Sequence, residues 1–254
     1  MRPANPNCAS ADRRAGPWSI VAWTWLLALA LVAPAWATVG NVSHLSGVLS
    51  VQKPSGERRI LSVQSAVDEG DLLITEDKTF ARIKFKDGGN LVLRPNSRVR
   101  IDRYSYQPDR PEADNVAMDL VKGGLRSITG AVARRNPERH TTTTANATIG
   151  IRGTHFGVQH CQGDCAGQTT LAGKPLPDGV HIDVHDGRIV VSNPAGRIEV
   201  AAGQFAYVGA PNQAPVNVPS EDGSRVAVPP SMVSETGGGM TVGRDSNDDK
   251  CVVK

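Results

Sequence analysis

The sequence predicts an all-β protein. Between residues 47 and 208 side chains alternate apolar and polar with period two, turn-forming residues recur at short intervals, and no helical stripe is sustained. In 80–86, Ala81, Ile83 and Phe85 point one way and Arg82, Lys84 and Lys86 the other. In 98–103, Val99 and Ile101 oppose Arg98, Arg100 and Asp102; in 180–185, Val180, Ile182 and Val184 oppose His181, Asp183 and His185. Ile198 and Val200 oppose Arg197 and Glu199. Strands of this kind bury one face and wet the other. Glu69-Gly70-Asp71, Asp87-Gly88-Gly89, Pro95-Asn96, Lys122-Gly123-Gly124, Asp186-Gly187, Pro194-Ala195-Gly196 and Ala202-Gly203 supply turns between them. The pattern fits a sandwich, a barrel or a compact β-helix, and periodicity does not choose among these.

The ends depart from this pattern. Arg2, Arg13 and Arg14 make a positive leader, an uncharged run follows from Trp18 to Ala33, and Ala35-Trp36-Ala37 places small residues where signal peptidase reads. The apolar run is shorter than the ~20 residues of a spanning helix. We therefore expect residues 1–37 to be a signal peptide cut after Ala37, export to the periplasm or beyond, and no stable membrane insertion afterwards. Cys8 precedes the apolar run, which argues against a lipid anchor. At the other end, 210–254 holds Pro211, Pro215, Pro219, Pro229, Pro230 and Gly237-Gly238-Gly239. Such a composition buries too little apolar surface to offset chain entropy, so a disordered tail is expected there, with 226–228 as a possible short strand. That leaves a β-domain over 38–209.

Composition narrows the function. Trp18, Trp23, Trp25 and Trp36 all lie in the leader, and only 3 Tyr and 4 Phe exist in the chain, so stacking platforms for bases or sugars are scarce. Losing the leader removes three arginines and one aspartate from 28 basic and 25 acidic residues, leaving near-neutrality and no general pull on nucleic acid. In an oxidising compartment Cys161 and Cys165 are close enough to staple one loop. Cys251 is left over, free or paired with another chain.

Gly70-Asp71-Leu72-Leu73-Ile74-Thr75 and Ala81-Arg82-Ile83-Lys84-Phe85-Lys86-Asp87-Gly88-Gly89 resemble the first half of a FecR domain. Leu120-Val121-Lys122-Gly123-Gly124-Leu125-Arg126 and the string from Thr144 to Phe156, with Gly150-Ile151-Arg152-Gly153-Thr154, resemble the second half. The resemblance covers about 47–158, with a β extension over 159–209. It implies a FecR-like compact β-helix or sandwich in the periplasm, used for protein contact and signal relay, of the exported stand-alone type. Too few residues precede the apolar run for an anti-sigma segment, so sigma-factor regulation is not carried over. Within the matched strings, Asp87, Gly88, Gly150, Arg152, Gly153 and Thr154 form a structural motif. Gly150 and Gly153 let a strand bend, and Arg152 is expected to hold a carboxylate such as Asp71 or Asp87; a ligand-binding Arg152 is the sharper alternative.

Other constellations read as bland. His155, His160, Cys161, Cys165, His181 and His185 cluster in sequence, but His181 and His185 lie ~13 Å apart along a straight strand, and the cysteines are better oxidised than metal-bound. No metal or cofactor is expected. Asp183 and Asp186 beside His181 and His185 lack a nucleophile, and no catalytic motif is present, so no catalytic residue is assigned. The sequence thus points to a non-enzymatic binding or signalling module contacting an unidentified envelope protein. A cell-wall-associated protein docking on peptidoglycan or an export machine is the alternative, and a hydrolase using the His/Asp face comes last.

Overall fold

Alternating side chains need two apolar faces to meet, and here one sheet folds over to supply both. The computed structural model describes residues 38–233; the expected signal peptide, Cys251 and the end of the expected tail lie outside the described residues. One wing contains, in lateral order, β4 (Ala66–Asp68), β1 (Thr38–Ser46), β6 (Phe80–Phe85), β7 (Asn90–Leu93), the second half of β9 (Asn115–Ile128), the second half of β11 (Thr148–Cys161), the first half of β12 (Gly179–Asn193), β14 (Phe205–Val208) and β15 (Val216–Val218). The other contains β3 (Arg58–Leu61), β2 (Leu49–Gln52), β5 (Leu72–Thr75), β8 (Arg98–Ser105), the first half of β9, β10 (His140–Thr143), the first half of β11, the second half of β12 and β13 (Gly196–Ala201). All neighbours are antiparallel except β9 and β10.

Three long strands belong to both wings, and each changes direction at a glycine with positive φ: Gly123 (79°), Gly153 (60°) and Gly187 (79°). At Gly187 a side chain would also meet backbone, since a Cβ there would stand 2.4 Å from the Gly153 carbonyl oxygen. Gly123 and Gly187, read from sequence as turns between strands, are corners within them. Gly150 stays in the ladder, paired with Thr141 and Val190. The wings close on one aliphatic core that includes Val42, Ile83, Leu125, Val158 and Ile182 from one and Leu49, Leu73, Ile101, Ile149 and Ile189 from the other.

Two expectations are corrected. Residues 210–233 are ordered: Val216–Val218 pairs with β14, and 219–233 runs as a strap across the outer face of the first wing. The strap needs no ladder hydrogen bonds, which suits its prolines, and it buries Val226 and Met232 outside the main core. The exception singled out near 226–228 forms no strand, though Val226 itself is buried while Ala227 is exposed; the strand lies at 216–218. Secondly, the polar faces of β6 and β12 are not uniformly wet. Arg82, His181 and Asp183 are buried, because appended segments lie over them.

Candidate functional site

The two outer faces of the folded sheet differ. On the first wing, Arg82, Val92, Arg126, Gly157, Asp183 and Phe205 stand side by side in direct register across six strands. The strap covers this row. Arg126 Nε donates to the Val226 carbonyl (2.9 Å), and an Arg126 terminal nitrogen pairs with Asp183 Oδ2 (2.7 Å). The Val226 N–H donates to Asp183 Oδ1 (2.9 Å). The other terminal nitrogen lies 3.1 Å from His155 Nε2; a guanidinium only donates, so that ring nitrogen accepts. Burial, then Arg126 and His185, pushes the His155 pKa down to about 4.

A parallel row, Gly124, Gln159, His181 and Tyr207, lies beneath the loop 162–178. Cys161 and Cys165 are joined as a disulfide at the base of that loop, as their spacing led us to expect. Arg94 donates to Gln159 and to Gln168 (2.7 Å), His181 Nε2 is 2.9 Å from the Pro177 carbonyl, and Tyr207 donates to the Asp178 carbonyl. Loop and strap are joined as well: Leu171 N–H donates to Gly223 and Ala172 N–H to Glu221.

Among the described residues the second wing's outer face carries no such cover. Arg58, Gln52, Leu72, Arg100, Asp119, Thr143, Thr148, Ser192 and Arg197 form one row across it. Arg98, Arg100, Arg103, Arg152 and Arg197 are exposed there, and none makes an ion pair among the described residues. A shallow cleft between Pro137, Glu138, Arg152 and Arg197 opens onto this face.

The residues singled out from sequence take distinct places. Asp87 is buried and gathers a corner of the fold. Its Oδ1 accepts from Gly89 N–H (3.1 Å) and Tyr104 hydroxyl (3.1 Å), its Oδ2 from Val132 N–H (3.4 Å), and its own N–H donates to the Tyr104 oxygen (2.9 Å). Its carbonyl accepts from Ala131 N–H, fixing the start of the short helix α1 (Ala131–Arg135). Burial and the Asp87 carboxylate push the Tyr104 phenol well above its ordinary range. Gly88 has φ 83° in the turn from β6 to β7. Thr154 and Thr129 exchange backbone and hydroxyl hydrogen bonds across the corner of β11.

Arg152 does not staple Asp71 or Asp87. Asp71 is held by Lys53 (2.8 Å), Asp87 by the groups just named, and Arg152 points outward from the bulge between 152 and 155. The histidines do not converge either. His155 and His185 pack ring to ring at 4.7 Å, His181 packs on Tyr207, and His160 lies beside Gln162. Among the described residues no group of three or more His, Cys, Asp and Glu is placed to hold a metal ion. Sequence reasoning singled out neither His140 nor Gly157, and met Arg126 only within a matched string and Val226 only in a possible strand. The glycine inside the apolar run Phe156-Gly157-Val158 was the available signal, since a strand glycine marks close approach.

The FecR protein family matches residues 71–189. Those residues are a FecR domain. Two crystal structures of a candidate anti-sigma factor from Parabacteroides distasonis ATCC 8503 are similar at 13% and 14% identity, over 59% of this chain, with TM-scores of 0.43 and 0.42. The chain spans 60% and 59% of those chains. A structure described as a cell surface anchoring domain aligns over 25% of this chain and 84% of its own, at 26% identity and a TM-score of 0.25. None of the curated proteins matches.

The FecR match contains the bulged motif, Arg126, Gly157 and Asp183, and the disulfide loop; the strap lies beyond it. Among the described residues no helix is long and apolar enough to cross a membrane. The Cys161–Cys165 bond closes only a short loop, so the chain-entropy term lost on reduction is about 2 kcal/mol. The Cys161→Ser/Cys165→Ser chain is expected to lose about that much stability in urea titration. New amide exchange should be confined to 162–178, because Arg94 and Tyr207 still anchor the loop.

Proposed function

We propose that this FecR-domain protein is a non-catalytic binding and signalling module of the cell envelope, and that it docks an acidic surface of another envelope protein on the outer face of its second wing. The asymmetry of the two faces carries this reading. Among the described residues, loop and strap cover one face and the other is bare, with Arg98, Arg100, Arg103, Arg152 and Arg197 making no ion pair. Unpaired arginines over a flat hydroxyl row suit bidentate contact with carboxylates. The face ends at β3, which among the described residues pairs only with β2 and exposes Ile60 at 76%, an open edge to which a partner strand can be added.

A photo-cross-linking residue at Thr143, in the middle of this face, tests the proposal in intact cells. A discrete protein adduct is expected, with yield falling at least about tenfold in Arg100→Glu/Arg197→Glu and at high salt. Both arginines are exposed, so folding should change by no more than about 0.5 kcal/mol. An adduct unaffected by charge reversal, or retention on purified peptidoglycan in place of a protein adduct, would reject it.

A further inference from the structure

The covered face holds its strap in an unusual way. Gly157 sits in direct register between Arg126 on one neighbouring strand and Asp183 on the other. Val226 lies in the notch so formed: a Cβ on Gly157 would come within 2.6 Å of the Val226 Cβ and 2.3 Å of Asp183 Oδ1. Arg126 binds the carbonyl of Val226 and Asp183 binds its N–H, while the two side chains pair with each other. Both backbone groups of one residue are therefore read by side chains of opposite charge, and its side chain is read by a glycine gap.

Two further observations set this apart from ordinary packing. Arg126, Gly157 and Asp183 lie inside the FecR match, and their occupant lies outside it. Among the described residues, 219–233 pairs with no strand of the body. Its anchoring backbone bonds run to the loop 162–178 at Glu221 and Gly223. The Arg126–Asp183 pair does not itself involve the strap, and the strap contributes no residue to the main apolar core.

We propose that Arg126, Gly157 and Asp183 form a docking cradle for an extended peptide centred on an uncharged β-branched residue, and that residues 224–228 occupy it as an intramolecular latch. The partner is a protein segment whose central residue has both backbone N–H and carbonyl free, which excludes proline there. Cis occupancy gives the strap a high effective concentration, so an outside segment enters only when the latch lifts.

The full chain tests this directly. Val226→Asp sets a second carboxylate against Asp183 and is expected to free 219–233 to amide exchange while 38–208 stays protected. A fluorescent peptide of residues 219–233 should then bind Val226→Asp by anisotropy and fail to bind the unaltered chain. Adding Gly157→Ala should abolish that binding with the body still protected. Loss of protection throughout 38–208 in Val226→Asp, or a freed strap with no peptide binding, would overturn the proposal. A second arm avoids any folding defect: a protease site placed between Pro219 and Ser220 is cut after folding. The labelled peptide should then replace the resident strap, and failure to exchange would count equally against the cradle.

Discussion

Asp87→Ala is expected to destabilise the protein by about 3–5 kcal/mol, enough to leave a marginal domain largely unfolded at 37 °C. The carboxylate is buried and accepts from Gly89 N–H, the Tyr104 hydroxyl and Val132 N–H. Alanine strands all three donors away from water, and each stranded donor costs about 1–3 kcal/mol. Asp87→Asn keeps the shape and one acceptor but turns donors toward donors, so its loss should be intermediate. Urea midpoints at pH 7 read both variants. Wild-type stability in Asp87→Ala would show that the Asp87-Gly88 pair matters only as a turn.

How far the sequence reveals this fold depends on what lies against each residue. The inward sets Val99/Ile101 and Val180/Ile182/Val184 were legible, since alternation reports the face that meets the core. Alternation is blind to whatever covers the other face. Arg82, His181 and Asp183 read as solvated, yet a strap and a loop without periodicity bury them. Proline content was read as disorder, although a segment held by Arg126 and Asp183 needs no ladder bond that proline would break. Arg152 illustrates a different limit. Its residue type announced a charge partner, but only the bulge after it decides that the side chain faces outward. Asp87 was legible as a motif residue and illegible as a hub, because Tyr104 and Val132 reach it from elements distant in sequence.

His140 makes acid the second large perturbation. Its ring points into the core at 4% exposure, and neither nitrogen finds a hydrogen-bond partner among the described residues. It lines a cavity of about 10 Å³ with Asp87, Tyr104, Val116 and Met118, among which Asp87 and Tyr104 are the ionisable neighbours. Asp87 is already committed to three donors, so burial prevails over its attraction and holds the imidazole pKa down to about 4, against 6.5 for an unhindered ring. Above pH 6.5 the ring is neutral in both states and stability is unaffected. Between 6.5 and about 4 the unfolded chain takes up a proton that the folded chain refuses, so stability falls. Below that range both states are protonated and the loss levels off near 3 kcal/mol, at roughly 1.4 kcal/mol per pH unit. His155 has a similarly lowered pKa but is only partly buried, and solvent screening makes its share smaller. His140→Phe keeps an aromatic ring in the cavity and removes the two unpaired nitrogens. It should match or exceed wild-type stability at pH 7 and reduce the slope of stability against pH between 6.5 and 4 by about one proton. Urea titrations at half-unit pH steps measure that slope. An unchanged slope in His140→Phe would place the acid-sensitive group elsewhere, with His155 at the edge of the strap as the next position to substitute.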